Sequence, residues 1–224
     1  MAIIKGVIFD LDGTLIDSLY AYQMAFNHAA TRCNLTTVDI KELSDFLNQF
    51  MSLEQLLAML YPSLMPEHIK EFISEMRHEF ISLSKHHIPL KPHVREVLLT
   101  LKDRGMKIGV ATGRMSKGDG KWRELKNLEI DNLFDAVVTA GETKPKPDPA
   151  SLIKCVEELG LSLADCVFVG DSKADIIAGR SAGVKVIALS SGVASREELL
   201  QEMPEVIIDN LAQLTAEIEH ISKR

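Results

Sequence analysis

The chain opens with a nearly unbroken apolar run, Ile3 to Phe9. Similar runs recur at Met106 to Ala111, Ala136 to Thr139, Cys166 to Val169, Val184 to Leu189 and Val206 to Ile208. Short continuous runs of this kind, without alternating polar positions, are what strands covered on both faces require. Helical patterns separate most of them. One predicted helix has Asp148 to cap it, Pro149 for its first turn and Gly160 just past its end. Another runs from about Lys173 to Ala182 and stops at Gly183. Strands alternating with helices predict an α/β fold built on a doubly wound parallel sheet.

From about Ile16 to Lys85 the pattern is helical only. Leu43, Phe46, Leu47 and Phe50 fall at the spacing of one helix face, as do Leu53, Leu56, Leu57 and Leu60, and then Ile69, Phe72, Ile73, Met76 and Phe80. Such stripes must be buried against one another, which predicts a small α-helical bundle inserted after the first strand. The expected division is 1–15 with 87–224 for the sheet domain and 16–86 for the helical insert. The Met and Phe residues of the insert read as packing rather than as a ligand box.

Composition adds bounds to this picture. The 224 residues are 46% hydrophobic and 25% charged, enough for a sizeable core in a soluble globular protein. No apolar run is long enough to span a bilayer, and the first residues lack the order of a signal peptide. The three cysteines are odd in number and have no zinc-like spacing, which suggests a reducing, cytoplasmic compartment. A net charge of -7 argues against a nucleic-acid partner, while a locally positive site can still take a small anion.

Four strand ends carry candidate chemistry. The first is Asp10-Leu11-Asp12-Gly13-Thr14, whose two aspartates at i and i+2 leave an extended segment on the same side. At the carboxyl edge of a parallel sheet they point into the crevice where ligands bind, and two close carboxylates call for a cation. A hard divalent ion such as Mg2+ suits oxygen ligands; a turn with two solvated aspartates is the plainer reading. The second end is Thr112-Gly113-Arg114, where a hydroxyl and a backbone N–H can meet a phosphate oxygen, or Thr112 can cap a helix. The third is Lys144-Pro145-Lys146-Pro147-Asp148-Pro149, a stiff segment that can present a lysine to an anion or expose ordinary surface lysines. The last is Gly170-Asp171-Ser172-Lys173-Ala174-Asp175. Asp171 is a candidate metal ligand there, and Asp175 either joins the site or completes a capping box with Ser172.

Taken in order, Asp10-x-Asp12-Gly13-Thr14, Thr112-Gly113, Lys144-Pro145 and Gly170-Asp171-x-x-x-Asp175 resemble the haloacid dehalogenase superfamily, in its phosphoglycolate phosphatase-like branch. The resemblance covers nearly the whole chain. It implies a Rossmann-like core with a mobile helical cap over the site. It implies Asp10 as nucleophile, Asp12 as general acid and then base, and Thr112 with the Gly113 backbone as phosphate donors. It also implies Lys144 as the charge beside the nucleophile, preferred to Lys146 because the family's lysine precedes the first proline. Mg2+ would be held by the Asp10 carboxylate, the Asp12 carbonyl and Asp171, with Asp175 in support. The substrate implied is a small phosphorylated metabolite.

Phe50 stands where the family's cap carries a glycine, ahead of Met51-Ser52-Leu53-Glu54, and Glu54 is the candidate for substrate contact. The segment Met115 to Trp122 reads as a mobile connection, and His86, His87 and His93 as solvated hinge residues. The alternatives to a phosphatase are a sugar-phosphate mutase of the same superfamily and a non-catalytic binder of phosphorylated metabolites.

Overall fold

The structure is a computed structural model that describes residues 3–48, 52–84 and 88–223. Its strands are β1 (Gly6–Phe9), β2 (Lys107–Thr112), β3 (Ala136–Thr139), β4 (Cys166–Gly170), β5 (Lys185–Leu189) and β6 (Val206–Ile208). The helices are α1 (Leu19–Arg32), α2 (Ile40–Leu47), α3 (Leu53–Leu60), α4 (Pro66–Ser84), α5 (Val94–Asp103), α6 (Arg123–Asn127), α7 (Ala150–Glu158), α8 (Lys173–Ala182), α9 (Arg196–Gln201) and α10 (Leu214–Lys223). Phe50, Met51, His86 and His87 lie outside the described residues.

The strands form one parallel sheet in the order β3-β2-β1-β4-β5-β6. This is the doubly wound arrangement that the apolar runs predict. β1 lies between β2 and β4, so the carboxyl ends of these three strands come side by side at the centre of the sheet. Ile8, Ala111 and Phe168 pack beneath Leu152, Cys155 and Val156 of α7. The alternate residues Val7, Phe9, Val167 and Val169 point to the opposite face and are equally buried, so both faces are covered. β1 takes only the last four residues of its apolar run, and Ile3 is exposed.

The helix after β3 starts slightly later than its signals suggest. Asp148 accepts the Ala150 backbone N–H at 2.9 Å, and Pro149 occupies the cap position rather than the first turn. α8 stops at Gly183, which takes a left-handed conformation at φ +75°.

The chain divides into two compact units, Met1–Ile16 with Leu90–Arg224 and Asp17–Pro89. The second unit is helical and has a core of its own. Phe26 and Phe72 meet edge to face with centroids 4.9 Å apart, surrounded by Leu43, Leu57 and Met76. The stripes at 43–47, 53–60 and 69–80 supply half of this core's buried residues. The remaining face comes from α1, whose Ala25, Ala29 and Ala30 are fully buried and let a neighbouring helix approach closely. Among the described residues, no helix is long and apolar enough to cross a membrane.

Candidate active site

Asp10 follows β1 directly, and its backbone N–H still bonds to Val169 O at 2.8 Å, which fixes it at the carboxyl end of the sheet. Its side chain is buried. Gly13 then turns the chain at φ +86°, and Thr14 comes back to donate its hydroxyl to Asp171 Oδ1 at 2.7 Å. Asp171, one residue past β4, also accepts the Val193 N–H on Oδ2 at 2.8 Å. Gly13 and Gly192 flank this carboxylate so closely that a Cβ at either position would collide with it. Glycine at these two positions is therefore part of how Asp171 is seated.

Asp175, in the first turn of α8, does two things at once. Its Oδ2 accepts from the Ser172 N–H at 3.0 Å and the Ser172 hydroxyl at 2.6 Å, while Ser172 Oγ receives the Asp175 N–H, completing a capping box. Its Oδ1 turns the other way and accepts from Lys146 Nζ at 2.6 Å. The same ammonium lies 2.5 Å from Asp10 Oδ1. The capping box that the sequence offered is therefore formed, and the other oxygen of the same side chain is turned to Lys146.

Here the structure corrects the lysine. Lys146, buried between Asp10 and Asp175, is the lysine at the carboxylates. Lys144 has a side chain 80% exposed, and its carboxylate neighbour is Asp148 at 3.8 Å. Lys-Pro-Lys-Pro repeats the same dipeptide, so pattern alone does not say which repeat faces the sheet. The register of the segment between β3 and α7 decides it.

Burial is the main influence on Asp10 and raises its carboxyl well above the usual range. Lys146 opposes that shift, while Asp175, Asp171 and Asp12 add to it. Burial first, and then the charge of Asp175, push Asp171 up to about 6. Burial disfavours the charged form of Lys146, but Asp10 and Asp175 outweigh it and hold the ammonium charged. Asp10, Asp171 and Asp175 can each bring a carboxylate oxygen within 4.8 Å of the others, and all three are buried. Three hard oxygen donors that repel one another suit a small divalent cation.

Asp12 does not join this cluster. Both its oxygens face Arg114, whose Nε and Nη2 donate to them at 2.8 Å each. Thr112 ends β2, is buried, and accepts the Arg114 backbone N–H at 3.3 Å. No α-helix begins there, which removes the capping alternative. Gly113 is exposed, with open space where a Cβ would project. Glu54 belongs to the helical unit, exposed in the first turn of α3.

The connection at 115–122 is better anchored than its composition suggests. Thr139 donates its hydroxyl to Ser116 O at 2.5 Å, Gly141 lies against the Met115 carbonyl, and Lys121 pairs with Glu142 at 3.4 Å. Sequence reasoning set Lys146 behind Lys144 and gave no role to Arg114 or Glu124. Lys146 and Arg114 stood inside quoted motifs. Glu124 has no local signal, since only the fold brings it to Arg114.

A family model described as haloacid dehalogenase-like hydrolase matches residues 7–189. The chain is 30% identical over 221 residues to a phosphoglycolate phosphatase of Vibrio cholerae, covering 96% of each chain. It is 29% identical over 225 residues to the pyrophosphatase PpaX of Bacillus mycoides, covering 98% of this chain and 99% of that one. Among solved structures, one described as a predicted phosphoglycolate phosphatase from Haemophilus somnus matches with a TM-score of 0.86 at 26% identity, over 95% of this chain and 97% of that one.

Proposed function

The chain belongs to the haloacid dehalogenase-like hydrolase family and is a phosphoric monoester hydrolase, and on that footing we propose that it uses Mg2+ and a phospho-aspartate at Asp10 to hydrolyse a small phosphorylated metabolite. The observation that carries this reading is the ammonium of Lys146 between Asp10 and Asp175, beside Asp171. A carboxylate nucleophile needs counter-charge where a phosphoryl group arrives, and this arrangement supplies it.

In the proposed reaction Asp10 attacks phosphorus and the bond from phosphorus to the leaving oxygen breaks. Asp12 gives its proton to that oxygen. Asp12 then takes a proton from water as the water attacks the phosphoryl group, releasing inorganic phosphate and restoring Asp10. The Thr112 hydroxyl and the Gly113 N–H are proposed to hold phosphoryl oxygens, and Lys146 to restrain nucleophile and phosphate. Mg2+ would be held by Asp10, the Asp12 carbonyl and Asp171, with Asp175 in support. Bound there, the ion would neutralise charge building on the phosphoryl group. Phosphoglycolate-like compounds and sugar phosphates are the substrate classes we favour, and Glu54 remains a candidate for leaving-group contact on the resemblance alone.

The test combines turnover with stability. Phosphate release from an aryl phosphate should stop in excess chelator and return with Mg2+. Asp10 and Asp171 have raised carboxyl pKa values, so folding favours their protonated forms. The contribution of each is therefore present below the ordinary carboxylate range and is lost as pH rises through its raised pKa, about 6 for Asp171, in the metal-free protein. Mg2+ binds the ionised carboxylates, so it should raise the melting temperature more at pH 7.5 than at pH 5. Undiminished turnover in chelator, or an equal shift at both pH values, would remove the metal from the account.

A further inference from the structure

Arg114 has no part in the reaction as written, yet it touches the residue that must serve the leaving group. Its Nε and Nη2 hold the two oxygens of Asp12, and Nη1 donates to Glu124 Oε2 at 2.8 Å. Glu124 sits on the short helix α6 with its side chain 7% exposed, whereas the side chain of Asp12 is 34% exposed. The guanidinium is thus braced from the protein side by a buried carboxylate and faces a more open one. Its backbone N–H meets Thr112, so it also adjoins the proposed phosphate donors.

To carry a proton to the leaving oxygen, Asp12 must be protonated on one oxygen, and that oxygen then binds a donor N–H poorly. As it turns to the substrate, its N–H···O bond to Arg114 opens. Glu124 keeps the guanidinium in place meanwhile. The N–H that loses Asp12 then faces the space the leaving group occupies. An oxyanion attached close to the leaving oxygen can replace the lost acceptor, and the planar guanidinium suits a carboxylate or a phosphate equally. A neutral leaving group offers no replacement.

We propose that Arg114, braced by Glu124, is a specificity-determining contact for substrates whose leaving group carries its own oxyanion beside the scissile P–O bond. This places part of the substrate choice in the sheet domain, where the sequence pointed only to the helical insert. It rests on the phosphatase reading above.

The test compares kcat/KM for three probes with the Mg2+-supplied enzyme. They are p-nitrophenyl phosphate, with a neutral leaving group, 2-phosphoglycolate, with a carboxylate, and inorganic pyrophosphate, with a second phosphate. In Arg114→Gln the ratio of the preferred anionic substrate to the aryl phosphate should fall by about 10- to 100-fold, the loss expected of one charged hydrogen bond. Arg114→Lys should recover part of that ratio, and Glu124→Gln should lower it by less. Whichever anionic substrate loses more identifies the oxyanion. If the variants fold and all three probes decline together, Arg114 only positions Asp12 and the proposal fails. If Arg114→Gln does not fold, Arg114→Lys and Glu124→Gln decide by the same ratio. A wild-type enzyme that hydrolyses none of the three overturns the phosphatase reading itself, and this inference with it.

Discussion

Asp10 and Asp175 share one ammonium, that of Lys146, and the pair of buried carboxylates would repel without it. Removing one partner from a buried ionic group generally costs about 3–5 kcal/mol, because the charges left behind are uncompensated. Lys146→Met should therefore lower kcat by roughly 100- to 1000-fold, the range for losing one preorganised electrostatic contact. It should also lower the melting temperature of the metal-free protein. Lys144→Met should release phosphate at nearly the wild-type rate, since Lys144 lies exposed beside Asp148. The reverse ranking in steady-state kinetics would restore the sequence's own choice. At this scale the aspartates were legible and the lysine was not. Asp10, Asp12 and Asp171 stand at strand ends, where an apolar run gives way to a carboxylate, and that boundary is visible in one dimension. Lys144 and Lys146 differ only in register, which the packing of the 140–149 segment sets.

At the scale of the element, the start of α8 both caps the helix and holds a buried ammonium. Ser172 and Asp175 cap each other, and the second oxygen of Asp175 receives Lys146. Ser172→Ala removes the cap, a change worth about 1 kcal/mol, while Lys146 still holds Asp175. A fall in melting temperature of about 2–4 °C with a modest change in kcat is expected. Asp175→Asn keeps the shape and loses the charge, so kcat should drop far more than stability does. If both variants lost kcat in proportion to stability, Asp175 would be a cap and nothing more. The strands were the legible elements, because burial on both faces leaves a continuous apolar run. The helix stripes at 43–47, 53–60 and 69–80 were legible for the same reason. α1 was harder to read, since its buried face is largely alanine, and the short α6 carries Glu124 with too few residues to show a period.

Among the described residues, the helical unit has a hydrophobic core of its own, and the sheet domain buries others against its sheet, under α7 and under α8. The net charge of -7 offers no general attraction for an anionic substrate. Binding must come from local charge, and the chain gathers Lys146 and Arg114 beside Asp10 and Asp12 at one edge of the sheet. Counter-charge concentrated around a carboxylate nucleophile is what a covalent phosphoryl transfer needs, whereas simple binding of phosphate does not require the nucleophile. The covalent step can be caught directly. An aspartyl phosphate is an acyl phosphate, which borohydride reduces at the carbonyl carbon to homoserine, while an ordinary carboxylate is left intact. Wild-type enzyme turning over an aryl phosphate with Mg2+ should be quenched with borohydride, digested and mapped by mass spectrometry. Homoserine at position 10, dependent on substrate, is the expected result. An intact Asp10 in enzyme releasing phosphate at its full rate, with homoserine at another aspartate, would contradict the assignment of Asp10 as nucleophile.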